Sequence, residues 1–88
     1  MMTSKDKLEV EEMEIAPRIA VDPNVVHGTP VITGTRVPVS LIIGSLAGGM
    51  SKEEVEAEYG IQAADIEAAL AYAAELVAIT EVTPLVGT

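Results

Sequence analysis

Apolar and polar residues change their spacing twice along this chain, and the changes divide it into three parts. Residues 1–14 are polar and mostly charged, with Lys5 and Lys7 followed by Glu9, Glu11, Glu12 and Glu14. A segment with so little to bury is expected to be a flexible acidic arm. Order is expected to begin near Ile15. Arg18-Ile19-Ala20-Val21 alternates polar and apolar, as a short strand does, and Asp22-Pro23-Asn24 stops it. Val31 to Thr33 is β-branched and reads as a second strand. Pro30 and Pro38 remove backbone donors on either side, so this strand must be short or lie at an edge. Gly34 allows a positive φ where the strand turns off.

From Pro38 the spacing becomes helical. A first helix is predicted over residues 39–47, with Pro38 in its first turn, Leu41, Ile42 and Leu46 on one face, and Gly48-Gly49 as the stop. A second helix starts at a strong signal. Ser51 with Glu54 makes a capping box, and Met50 with Val55 stands at the positions of a hydrophobic staple. It should end near Tyr59, at Gly60. The same frame recurs for a third helix, with Ile61 and Ile66 as the staple, Asp65 at the acidic position and Gln62 at the cap. Glutamine caps poorly, so this start should be weaker than the second helix's by up to about 1 kcal/mol. Ile66, Ala69, Leu70, Ala73 and Val77 mark one apolar stripe. Six further alanines, at 63, 64, 68, 71, 74 and 78, smooth the rest of this helix. Small residues suit close helix contact across a dimer, but alanine is also the best helix former. The folded domain is thus expected over residues 15–79, leaving residues 80–88 as a tail. Its β-branched, proline-containing sequence suits an edge strand or a segment that orders on a partner.

Composition sharpens this picture. The chain has 88 residues and is 49% hydrophobic, yet its only aromatic residues are Tyr59 and Tyr72. A core of Val, Ile, Leu and Ala in so short a chain buries little, so a homodimer, a higher oligomer or a permanent partner is expected to supply the rest. There are no cysteines, which excludes disulfides and thiolate chemistry. The longest run of strongly apolar residues, Leu41 to Ile43, falls far short of the roughly 20 needed to span a bilayer. No secretory signal is visible at the start, and a cytoplasmic location without membrane contact is the default.

The chemistry of catalysis is sparse. His27 is the single histidine and sits in a turn beside Gly28. Glu53, Glu54, Glu56 and Glu58 crowd one short helix, a pattern that usually marks a solvated face. Gly28 and Gly34 are not followed by the lysine of a phosphate loop. No enzyme activity, metal or cofactor is expected.

The second and third helices, joined through Gly60-Ile61, have the lengths and turn of a helix-turn-helix. Their charge argues the other way. Net charge is −9, and from Glu53 to the end there are eight acids and no Lys or Arg. Asp65 and Glu67 at the start of the would-be recognition helix would repel phosphates, and only Gln62 is suited to reading a base edge. Contact with DNA would fall to Lys5, Lys7, Arg18, Arg36 and Lys52. The acidity is equally that of a soluble surface or of a protein whose main partner is basic. Arg36 has two readings as well: a bridge to Asp22 or Glu54, or a guanidinium that enters a partner's carboxylate site.

Several segments together resemble a known family. They are Arg18-Ile-Ala-Val-Asp22-Pro23; Gly28-Thr-Pro30-Val31-Ile32-Thr-Gly34-Thr35-Arg36-Val37-Pro38-Val39-Ser40; Leu46-Ala47-Gly48-Gly49-Met50-Ser51; and Asp65-Ile66-Glu67-Ala68-Ala69-Leu70-Ala71-Tyr72-Ala73-Ala74-Glu75. In these the chain is similar to the "domain of unknown function 433" family over about Arg18 to Val77. The resemblance implies a homeodomain-like fold and, for many members, a VapB-type antitoxin encoded beside a PIN-like ribonuclease toxin. Thr29 and Thr33 stand where relatives often carry a cation, and Gln62 where a capping Thr is usual. The expected fold is therefore mainly α, a short N-terminal β segment or hairpin followed by a three-helix, homeodomain-like helix-turn-helix bundle. The expected function is that of a type II antitoxin that binds and neutralises a PIN-like ribonuclease. The alternatives are a dimeric helix-turn-helix transcription regulator and a structural interaction domain without a toxin. Arg18, Arg36, Lys52 and Gln62 are the candidate partner- or nucleic-acid-binding residues, with DNA bound only weakly by the isolated chain.

Overall fold

A computed structural model describes residues 12–80, so most of the arm and the tail lie outside the described residues. Three short strands come first: β1 (Met13–Ala16), β2 (Ile19–Val21) and β3 (Val31–Ile32). Both pairings are antiparallel, in the order β1-β2-β3. The sheet thus has one strand more than a hairpin. The extra strand is β1, which begins two residues before Ile15, inside the stretch read as arm. Pro17 and Arg18 make the turn into β2. Arg18 takes the left-handed region at φ 67°, and its N–H donates to the Glu14 carboxylate at 2.9 Å. The polar/apolar alternation read in β2 does not hold. Ile19 and Ala20 are consecutive and both fully buried, Ile19 within the core cluster.

After β3 the chain reverses. Thr35 N–H donates to the Ile32 carbonyl at 2.9 Å, and Gly34 holds φ 80° within that turn, where a side chain would be strained. The Thr35 hydroxyl locks the turn by donating to the Ile32 carbonyl at 2.7 Å and accepting from Val37 N–H at 3.0 Å. Val31 then pairs with Pro38 across the loop, and Arg36 lies near the loop's outer end.

Three helices follow: α1 (Val39–Ala47), α2 (Lys52–Tyr59) and α3 (Ala63–Ile79). Pro38 is the N-cap of α1, one position before the first-turn site expected for it. The buried face of α1 is Val39 with Ile42, and Leu41 is 42% exposed. This differs from the expectation that Leu41 shares the core face with Ile42: at 100° per residue it points well away from the Val39–Ile42–Leu46 side that packs into the core. Both halves of the α2 capping box form: Glu54 N–H donates to Ser51 Oγ at 3.0 Å, and Ser51 N–H to Glu54 Oε1 at 2.8 Å. Gly60 closes α2 at φ 66°, the left-handed C-cap. Ser51→Ala should therefore cost about 1 kcal/mol of stability, read as a lower urea midpoint at unchanged slope.

The core is a cluster of Ile19, Ile32, Val39, Ile42, Val55, Ile61, Ile66 and Ala69, with Met50 and Tyr59 packed against it. Aliphatic side chains from every helix and from two strands meet there, so α3 rests on α1, α2 and β2 together. The Ser45 and Tyr59 hydroxyls, 2.8 Å apart, tie α1 to α2. No helix among the described residues is long and apolar enough to cross a membrane.

Candidate functional site

Three of the four candidate residues converge on the first turn of α3. Asp65 is the hub. One carboxylate oxygen accepts the Gln62 main-chain N–H at 2.9 Å and so caps the helix. The other accepts Arg18 Nη1 at 2.8 Å, pinning the β1–β2 turn to α3. Asp65 is 8% exposed, whereas about half of the Arg18 side chain remains in solvent. A carboxylate can be buried there because a cation and a helix N-terminus face it together. Two residues on, Glu67 accepts Lys52 Nζ at 2.9 Å and ties the start of α2 to α3. That hydrogen bond, and then the Glu67 charge, raise the Lys52 ammonium above its ordinary pKa. A raised pKa favours the folded state below the ordinary value and loses that effect as pH rises through the shifted one. About half of the Lys52 side chain is in solvent, so the pair orders side chains more than it stabilises the fold.

Arg36 stands apart. It is exposed and makes no ion pair among the described residues, so neither bridge considered for it, to Asp22 or to Glu54, is present. His27 is exposed too, at φ 56° in a single 3-10 turn. Among the described residues no three His, Cys, Asp or Glu side chains gather as metal ligands would.

Two surface features complete the site. Glu53, Glu54 and Glu58 line the outer side of α2, giving it an acidic, solvated face. On another side, an open groove of about 460 Å³ runs between the start of α1 and the second half of α3, lined by Val39, Ile43, Gly44, Tyr72 and Leu76 among others. No charged side chain lines it. The stripe predicted on α3 runs through both environments. Ile66 and Ala69 are buried under the sheet and the other helices, but Val77 is 71% exposed because the helix extends beyond them.

Asp65 takes the capping position that the sequence gives it, but neither its bond to Arg18 nor the groove is readable from sequence. Asp65 did carry a signal: it stands one turn before Ala69 and adjoins Ile66, at the border of the apolar stripe, where a charge needs a partner.

The relatives agree with this architecture. Residues 19–73 match the sequence profile of the family described as "Protein of unknown function (DUF433)". No curated protein matches the sequence. A DUF433 member protein from Anabaena variabilis ATCC 29413 is similar in structure, with a TM-score of 0.64 and 26% identity over 82% of this chain and 68% of that one. Rv2018 from Mycobacterium tuberculosis is similar with a TM-score of 0.55 and 31% identity, over 59% of this chain. The match takes in only 24% of the Mycobacterium protein's length. The profile match over residues 19–73, more than half of the chain, makes it a member of the DUF433 family.

Proposed function

We propose that this chain is a non-catalytic, cytoplasmic protein-binding module, an antitoxin that holds and neutralises a basic ribonuclease of the PIN-like class. Its α2–α3 pair would be a homeodomain-like helix-turn-helix serving as a scaffold for protein contact. The observation that carries this reading is the pairing of the cations. Arg18 and Lys52 are bonded to Asp65 and Glu67, so the first turn of α3 presents no uncompensated positive charge. A surface in that state favours a basic protein over a phosphate backbone. RNA-cleaving enzymes carry cationic faces for their substrate, and the acidic side of α2 complements such a face.

The test is to look for a PIN-like ribonuclease gene adjoining this one and to co-express the two. Growth should be restored, and the purified pair should form a stable complex without nuclease activity. Normal growth arrest despite a folded, abundant chain would defeat the reading. Arg36 gives a finer measurement. Arg36→Lys should leave the melting temperature unchanged, because the side chain is exposed and unbridged. It should weaken the inhibitory complex about tenfold if the guanidinium forms a bidentate pair with a ribonuclease carboxylate.

A further inference from the structure

We propose that the outer edge of β1 takes up an extended, basic segment of a protein partner as a further strand of the sheet. The inference rests on reading the chain as a module for a basic protein. It adds where that partner's chain is held and in what conformation.

The two edges of the sheet are not alike. Outside β3, Ile32 N–H donates to the Val37 carbonyl at 3.0 Å and Val31 pairs with Pro38, so the loop closes that edge. Among the described residues β1 pairs with β2 alone. An edge strand turns part of its N–H and C=O groups outward, and these are a template for another strand. Met13 and Ile15 of β1 are 57% and 42% exposed, so an added strand also finds apolar side chains to pack against.

A second feature adjoins the end of β1. Ala16 and Pro17, with Ala68, Ala71, Tyr72 and Glu75 of α3, line a cavity of about 270 Å³. Glu75 is the single charged residue of that lining, and it is exposed and bonded to no cation among the described residues. The neighbouring cation, Arg18, is committed to Asp65. A long basic side chain suits such a slot, with its methylene stem over the alanines and its head at the carboxylate.

Charge selects the occupant. Glu14 lies on β1, Glu12 adjoins it, and Glu9 and Glu11 precede it in the sequence. A second copy pairing through β1 sets these acids against their own counterparts, and like charges on adjacent strands repel. A basic strand meets opposite charge at the same positions.

The probe is an acetylated, amidated heptapeptide in which valine alternates with lysine. It needs no ribonuclease, so its result is separate from that of co-expression. Added to the isotope-labelled chain, it should shift the amides of residues 13–16 and 75 saturably, with a dissociation constant of about 1 mM, and weaken with salt. Methylating the peptide nitrogens that pair with β1 should weaken binding about tenfold, as the loss of one or two hydrogen bonds does. Replacing its lysines with glutamates should abolish binding. Glu75→Gln, at unchanged circular dichroism, should weaken it about threefold, the scale of one exposed ion pair. Equal binding by the methylated or the acidic peptide, or shifts confined to the acids of α2, would overturn the inference. Binding at β1 without any rescue of growth on co-expression would uphold this site and remove the ribonuclease alone.

Discussion

Asp65→Ala should lower the unfolding free energy by about 2 kcal/mol, the sum of one lost helix cap and one lost charge-assisted hydrogen bond. The cap contributes because the Gln62 N–H, donating to Asp65 at 2.9 Å, would lose its acceptor. The Arg18 bond contributes less than a buried pair would, since about half of that side chain can return to water. In a domain of this size the loss corresponds to a fall of roughly 10 °C in Tm. Arg18 provides the control. Arg18→Ala leaves the buried carboxylate without its cation and should cost about 1 kcal/mol. Arg18→Gly should cost less, because glycine relieves the φ of 67° that any other residue holds under strain. Asp65→Ala placed on Arg18→Ala should then cost about 1 kcal/mol less than on the wild type, the signature of a direct pair. An Asp65→Ala protein within about 0.5 kcal/mol of wild type would mean that this hub does not hold the sheet to α3.

That hub shows where sequence reading stops. Capping rules act over three or four residues, so Ser51, Glu54 and Gly60 declared the bounds of α2, and Gln62 with Asp65 the start of α3. The Arg18–Asp65 bond spans 47 positions, and no local rule selects Asp65 from among 14 acids as the partner of Arg18. The same limit explains the sheet. Met13 and Glu14 belong to a charged run, and they form a strand because β2 offers them a free edge. Ile19 and Ala20 read as alternation because spacing along a strand does not show how far the rest of the chain covers each of its faces. On α3 the periodicity was legible from Ile66 to Val77, but periodicity carries no information about where the underlying layer ends. The exposed half of that stripe, and the groove beside it, follow from the lengths of α1 and α3 relative to the core.

Because the pairing of cations also bears on nucleic acid, the isolated chain should bind promoter DNA with a dissociation constant weaker than about 10⁻⁴ M near physiological salt, outside the range of specific regulators. A helix-turn-helix places the first turn of its second helix against base edges and the flanking phosphates. In the proposed arrangement that turn is the start of α3, which offers Gln62, with Arg18 and Lys52 beside it, and both cations are already bonded to carboxylates. Freeing them for phosphates would expose Asp65 and Glu67 to the DNA at the same site. That leaves Arg36 among the described residues, and Lys5 and Lys7 in the sequence before them. Three phosphate contacts per chain give a slope of log K against log salt no steeper than about −3, doubled in a dimer. A salt titration of labelled promoter DNA, run on the isolated chain and on its complex with the proposed ribonuclease partner, reads both quantities. Tight and steep binding by the complex, with a shallow and weak curve for the isolated chain, is the expected pair of results. It would assign operator recognition to cations that the basic partner brings. Nanomolar, sequence-selective binding by the isolated chain would instead show that Arg18 and Lys52 exchange their carboxylates for phosphates, and would put the transcription-regulator reading first.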